Sequence, residues 1–278
     1  MTVSADMDKT TDKQAEFFKK FDIVVATNCG KDELVRINSI CRAEKVLFYA
    51  GDVFGFYGFS FMDLVSHEYV EEVTETKESV DDGPAAKKQK VESETKTVKK
   101  AMSFVSLAET LKVDWTAELY SKRITRMDPS YFLLQVLFAF QEETGHAPRP
   151  ASREADLATL RRLRDSTLTD MKIPTKKVTD EVLGELCSTI VLVYLKFNLT
   201  RVTFTRHYCS VFTPVTPHHH CNAYPGLLFA ELSPVCAIVG GVLAQEVIKA
   251  ISNKDAPHNN YFFYNPEQSC GVVETIGY

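Results

Sequence analysis

Apolar residues follow two different periods along the chain, and the change from one to the other predicts an α/β protein. Phe21–Thr27, FDIVVAT, is a short β-branched run typical of a buried strand. From Asp32 to Ala43 the apolar residues recur three or four positions apart, which predicts a helix, and Val46–Ala50 then predicts a second strand. Such a strand–helix–strand unit favours a sheet with a right-handed crossover.

Two further stretches predict hairpins. Gly51–Leu64 alternates aromatic and small residues, which indicates a strand that turns at Gly55–Gly58 and returns. Its glycines lack the G-x-G-x-x-G spacing of a phosphate-binding loop. Near the end of the chain, Tyr261–Tyr264 and Gly271–Ile276 predict two strands that close as a hairpin around Asn265-Pro266.

Helical patterns are concentrated in the middle of the chain. Asp128-Pro129 favours a helix start before Tyr131–Phe140, which is apolar on nearly all sides and is therefore expected to be buried. Ser152–Asp170 is charged and amphipathic, and Thr179–Cys187 predicts a short third helix. We expect these segments to form one helical layer.

Ser233–Ser252 predicts the longest helix, with its first serine as the cap and Pro234 at the first helical position. Val235–Ala244 has no charged residue, so we expect protein to enclose this half of the helix on every side. Gly240 and Gly241 each cost roughly 1 kcal/mol relative to alanine in a helix. The pair therefore predicts that another backbone packs closely against the helix.

Composition excludes several classes of protein. An apolar fraction of 45% is enough for a core, and a net charge of -5 favours neither nucleic acid nor an anionic membrane as a partner. The seven cysteines are irregularly spaced, which fits free thiols in a reducing compartment. The apolar runs are shorter than the roughly 20 residues that span a bilayer, so we expect a soluble protein whose partners are proteins.

Residues 71–100 are charged and nearly free of large apolar side chains, which predicts a flexible loop. Within this stretch Lys87, Lys88 and Lys90 form a basic cluster of the kind that nuclear import receptors bind. A solvated lysine run without that role is the alternative. We expect the cluster to direct the protein to the nucleus.

The run PVCAIVGGVLAQEVIKAIS followed by HNNYFFY resembles the crossover helix and last strands of the adenylation domains in ubiquitin-like-protein activating enzymes. FDIVVAT, GDVFGFYGFSF, HEYVEE and SYFLLQVL extend the likeness, which is greatest for the non-catalytic subunits of SUMO-activating enzymes. The resemblance implies an incomplete Rossmann-like adenylation domain, the later half of the sheet with its helical layer. It divides the chain into a strand–helix–strand part (1–70), a charged loop (71–100), a helical layer (101–187), an insert (188–228), and the crossover helix with the C-terminal strands (229–278).

The insert is rich in β-branched and aromatic residues and resembles nothing in that family. Its cysteines and histidines allow a zinc site, but the spacing is not that of common zinc motifs and adjacent histidines cannot all face one ion. We therefore expect no metal there. The candidate ligands for such a site are Cys209, His218, His220 and Cys221.

The resemblance also shows what this chain lacks. The family's glycine-rich phosphate loop, its acid for the ribose and its arginine-bearing helix have no counterpart, as expected of an N-terminally shortened form. Catalytic members hold magnesium-nucleotide with an aspartate at the position of Cys29. No cysteine lies in a thioester-forming motif, and Cys236 is interpreted as a core residue. We expect this chain to have no catalytic, cofactor-binding or metal-binding residues.

The resemblance implies a heterodimer with the catalytic subunit of a SUMO-activating enzyme. That complex uses ATP and Mg²⁺ to adenylate the C-terminus of SUMO and passes it to a cysteine of the partner. This chain alone is expected to be inactive. One alternative is a non-enzymatic fragment that binds the partner or the modifier without supporting activation, and another is an activator of a different ubiquitin-like protein.

Overall fold

A computed structural model describes residues 6, 8–77, 92–180, 182–183, 232–265 and 270–278. The strands are β1 (Ile23–Thr27), β2 (Leu47–Phe54), β3 (Tyr57–Asp63), β4 (Ser66–Lys77), β5 (Glu92–Ser103), β6 (Tyr261–Asn265) and β7 (Cys270–Glu274). The helices are α1 (Ala15–Phe18), α2 (Lys31–Glu44), α3 (Leu107–Thr110), α4 (Glu118–Ser121), α5 (Ser130–Thr144), α6 (Arg153–Asp170) and α7 (Ser233–Ser252).

Five strands form the main sheet, in the order β1-β2-β3-β6-β7. β1 and β2 are parallel, with Ile23 opposite Leu47, and α2 makes the crossover between them. The other neighbouring pairs are antiparallel. The predicted α/β class, the β2–β3 hairpin and the pairing of the last two strands are therefore confirmed.

Helices cover both faces of this sheet. Side chains alternate along each strand, so the adjacent residues Phe48 and Tyr49 on β2 belong to two different clusters. Phe48 lies in the larger cluster, with residues of α2 and α5. Tyr49 lies on the opposite face, where α7 packs on β2, β3 and β6. In the described part of the chain, the core is thus a sheet between an α2/α5 layer and helix α7.

The predicted central helices are present. The carboxylate of Asp128 accepts a hydrogen bond from the Ser130 backbone N–H at 2.9 Å and so caps α5. The helix buries nine residues and ends at Gly145, whose φ of 72° lies in the left-handed region. α6 packs on α5 and buries Leu160, Leu163 and Leu168. The prediction of a buried helix followed by an amphipathic one is confirmed.

The predicted loop at 71–100 is wrong at both of its ends. β4 and β5 pair antiparallel over twelve residue pairs, from Ser66 opposite Ser103 to Lys77 opposite Glu92, and form a separate ribbon. Cross-strand backbone pairing and alternating β-branched residues outweigh the charged composition here. The Val70 N–H donates to Asn253 O, and the Asp255 N–H donates to Val70 O, both at 2.9 Å. These bonds attach the ribbon to the loop after α7.

A buried carboxylate holds the base of the ribbon. Asp63 at the end of β3 has a fully buried side chain. Its oxygens accept hydrogen bonds from Arg42 at 2.7 Å, from Asn38 at 2.9 Å and from the Val65 backbone N–H at 3.0 Å. Arg42 also donates to Phe104 O at 3.0 Å. The network therefore joins α2, β3 and the ends of both ribbon strands.

Several predictions fall outside the described residues. These are the basic cluster Lys87, Lys88 and Lys90, the whole of the insert region 188–228 with its candidate zinc ligands, and five of the nine residues of the helix predicted at Thr179–Cys187. They stay predictions.

Candidate functional site

The loop after β1 is the position where the family resemblance places a catalytic aspartate. It lies at the carboxyl end of a parallel strand, between β1 and the start of α2, which is where ligands bind in α/β sheets. Asn28 adopts a left-handed conformation with φ of 54°. The Cys29 thiol donates a hydrogen bond to Thr27 O at 3.3 Å. Cys29 therefore lies in the loop between β1 and α2, and its correspondence to the aspartate of catalytic members stays a prediction.

The chemistry of Cys29 differs from that of a carboxylate. Burial is the main cause, and the negative charges of Glu33 and Asp52 act in the same direction; together they raise the pKa of the thiol to about 11. At neutral pH the side chain is therefore a neutral thiol, whereas Mg²⁺ prefers oxygen ligands. Lys31 at the start of α2 pairs with Glu142 on α5 at 2.6 Å. Among the described residues, no group of three or more His, Cys, Asp or Glu forms a metal site.

The inner face of α7 packs on the sheet by close contact with Gly58, a glycine that the sequence analysis assigned to a turn and that lies within β3. Val235 and Val239 are both 4% exposed. A Cβ on Gly58 of β3 would lie 2.5 Å from Val239 Cγ2. Close approach of helix and sheet thus depends on Gly58. The signal in the sequence is its place in an otherwise aromatic strand, where a glycine marks close packing of another element.

The prediction about Gly240 and Gly241 is wrong within the described structure. A Cβ added at either glycine meets no heavy atom within 4 Å, because both lie away from the sheet. The expectation that Val235–Ala244 is enclosed is also wrong, since Ile238 is 39% exposed and Cys236, interpreted above as a core residue, is exposed as well. The start of the helix shifts by one residue as well: Leu232 precedes it, and no side chain caps it.

A continuous apolar surface runs along the side of α7 that faces away from the sheet. We call it the outer face. Its residues recur four and three positions apart, the spacing of a helix–helix seam, and all are exposed. The outer face consists of Ala237, Gly241, Ala244, Ile248 and Ile251.

The sheet beside α7 is also partly uncovered. Ile23 on β1 packs in the cluster beneath α7. Val25 lies on the same face by strand alternation and is 46% exposed. A parallel strand is usually covered on both faces. The outer face and the β1 side of the sheet together form an exposed apolar area that a monomeric domain rarely leaves open.

α7 is also long and apolar enough to cross a membrane by length and composition. It has 20 residues and a mean hydropathy of 1.6, and 22% of its most apolar window is buried. A helix of a water-soluble core meets the same criteria, so the finding is a weak indication. Glu246, which is 1% exposed, and the contact of Val239 with the sheet place α7 within the domain.

Comparison with known proteins supplies the context for these surfaces. The sequence profile of the ThiF family matches residues 1–275. The chain is 36% identical over 281 residues to SUMO-activating enzyme subunit 1 of Xenopus laevis, with 100% of this chain and 70% of that protein covered. It is 38% identical over 277 residues to the Danio rerio protein of the same name, with 98% and 68% covered.

The corresponding Homo sapiens protein is 34% identical over 279 residues, with 99% of this chain and 68% of that protein covered. The likeness therefore runs over nearly the whole chain.

Proposed function

Because the chain belongs to the ThiF family, we propose that it acts as the non-catalytic subunit of a SUMO-activating enzyme. The observation that carries the proposal is the match to proteins named SUMO-activating enzyme subunit 1 over 98 to 100% of the chain. Identities of 34 to 38% over such a length support a shared role as well as a shared fold.

In the proposed complex the catalytic subunit supplies the reactive groups. ATP with Mg²⁺ converts the C-terminal carboxylate of SUMO to an acyl-adenylate and releases pyrophosphate. A cysteine of the catalytic subunit then attacks the adenylate, forms a thioester and releases AMP. The neutral thiol at Cys29 supports this division of labour, because it offers no charged ligand for Mg²⁺ at the position of the family's aspartate. In this proposal the complex uses ATP as a substrate together with Mg²⁺, and this chain itself binds neither.

We infer that the catalytic subunit contacts this chain on the outer face of α7. The face carries no charge, so covering it does not require desolvation of an ion. Its first half consists of alanine and glycine, which lets a second helix approach closely, and Ile248 and Ile251 provide larger contacts at the other end. These two isoleucines are 55% and 67% exposed. An apolar helix of the partner fits this surface.

The activity test combines the purified chain with the catalytic subunit, SUMO and Mg-ATP. We expect ATP–pyrophosphate exchange and SUMO thioester on the partner to depend on addition of this chain. Binding to the partner without either reaction would instead support the interaction-fragment alternative. If ATP–pyrophosphate exchange requires another ubiquitin-like protein in place of SUMO, that protein is the modifier that the complex activates. Failure to bind the catalytic subunit contradicts the proposal.

The assembly surface can be tested with a matched pair of variants. Ile248→Glu places a charge on the outer face, and Leu119→Glu makes the same kind of change on α4, at a side chain that is 58% exposed. We expect Ile248→Glu to weaken binding to the catalytic subunit by about tenfold or more, and Leu119→Glu to leave it unchanged. Equal effects of the two variants would exclude the outer face as the contact.

We also propose that the protein is nuclear and that Lys87, Lys88 and Lys90 contribute to import. The support is the basic cluster itself within a charged stretch. Replacing the three lysines by alanine should move a tagged chain toward the cytoplasm when the partner is depleted. An unchanged nuclear fraction would favour the solvated-lysine interpretation.

A further inference from the structure

A buried carboxylate connects α7 to the loop that follows it. The side chain of Glu246 is 1% exposed. One oxygen accepts a hydrogen bond from Lys249 Nζ at 2.7 Å, and the other accepts from the backbone N–H of His258 at 2.8 Å. The Tyr49 hydroxyl donates to the backbone O of Glu246 at 3.1 Å. A buried carboxylate without such partners would cost several kcal/mol, so these contacts are required to hold it.

The ring of His258 lies beside this carboxylate. Its Nε2 is 3.5 Å from Glu246 Oε1, and the ring stacks on Phe262 with a centroid separation of 6.3 Å. Burial lowers the pKa of His258 below its usual value, Glu246 acts in the opposite direction, and the charge of Lys249 lowers the pKa further. Nδ1 is buried without a hydrogen-bond partner among the described residues. The neutral ring is therefore the form that fits the site.

The loop 253–260 also holds the ribbon. Asn253 and Asp255 exchange two backbone hydrogen bonds with Val70 of β4. The Asn259 side chain donates to the backbone O of Ser103 on β5 at 3.4 Å. Lys249 Nζ donates to the Ala256 O at 3.2 Å, which ties the same loop back to α7. The loop is thus the connection between α7 and both strands of the ribbon.

We propose that the Glu246 cluster is an acid-sensitive latch between α7 and the β4–β5 ribbon, opened when the imidazole of His258 takes up a proton. The added proton places a second cation beside Lys249, and the two cations then compete for one carboxylate. From β2 the Tyr49 hydroxyl faces the cluster, and burial raises its pKa so that it stays neutral. Among the described residues of β6, the apolar ring of Phe262 contacts the His258 ring. No further anion among these facing groups balances the new charge.

The direction of the pH effect follows from linkage. His258 has a lower pKa in the closed latch than in an open, solvated loop, so the open form binds the proton more tightly. Opening therefore increases as pH falls below about 6.5 and stops increasing below the lowered pKa. At pH 7 and above the latch is closed.

Hydrogen exchange of the full chain measures this opening. We expect protection at the Val70, Asp255 and His258 amides to fall by about two- to tenfold between pH 7.5 and pH 5.5, after correction for intrinsic exchange rates. His258→Gln keeps the backbone N–H to Glu246 but cannot take up the proton. It should retain protection at pH 7.5 and lose the pH response. An unchanged wild-type protection overturns the proposal.

A second histidine supplies the control. His67 on β4 is 6% exposed and burial lowers its pKa as well, so His67→Gln removes the competing source of pH dependence. The latch requires that this variant keep the response at Asp255 and His258. Loss of the response in His67→Gln overturns the proposal. An NMR titration of the wild-type imidazoles provides a test without mutation: the His258 ring must titrate below pH 6.5, together with the amide changes.

Discussion

Replacing Gly58 by alanine tests how closely α7 packs on the sheet. The new Cβ would lie 2.5 Å from Val239 Cγ2, well inside the roughly 3.5 to 4.0 Å at which carbon atoms attract one another. Val239 is 4% exposed and its β-branched side chain is stiff at χ1. Relief of the contact therefore requires a strained rotamer or a displacement of the helix.

The size of the effect can be worked out from opposing terms. Overpacking a core costs about 1 to 3 kcal/mol, and replacing glycine by alanine in a strand returns about 0.5 to 1 kcal/mol. Gly58→Ala should therefore destabilise the chain by up to about 2.5 kcal/mol, with a central value of about 1 kcal/mol that lowers Tm by about 2 to 4 °C. Gly241→Ala meets no heavy atom within 4 Å, so helix propensity should stabilise the chain by about 0.8 to 1 kcal/mol.

Thermal unfolding followed by circular dichroism distinguishes the two substitutions by sign. A third variant, Gly58→Ala with Val239→Ala, removes the methyl group that the new Cβ would meet. Its loss of stability should be smaller than the sum of the single losses by at least about 0.5 kcal/mol. The reasoning is refuted if Gly58→Ala raises Tm, or if Gly241→Ala lowers it in the isolated chain.

Three further changes test the core and the β1 loop. Asp63→Ala should cost about 3 kcal/mol or more in urea unfolding, because it leaves the partly buried Arg42 without its carboxylate. Lys122→Ala breaks an exposed pair and should change stability by less than about 0.5 kcal/mol, and an equal loss in both would contradict the buried network. Alkylation of Cys29, followed by mass spectrometry, should reach half its limiting rate near pH 11. A midpoint near pH 8.5 would mean that the thiol is solvated.

The spacing of apolar residues was sufficient to predict secondary structure wherever that spacing within one segment decided its structure. β1, α2 and the β2–β3 hairpin were predicted with small errors at their ends, because periodicity and glycine turns act within a few residues. The β4–β5 ribbon was missed because its structure depends on pairing between two strands and not on a pattern within one segment. Its strands are charged, and the pairing of Ser66 with Ser103 joins residues that are distant in the chain.

The sequence by itself determined the α/β class, the length of α7 and the family to which the chain belongs. Only the tertiary structure decided which side of α7 is buried. An uncharged helix shows no polar stripe that would orient it, so composition suggested burial on all sides and assigned the close contact to Gly240 and Gly241. The sheet instead makes that contact at Gly58 and leaves the outer face exposed. Orientation depends on the surface against which a helix packs, and that surface comes from strands far away in the chain.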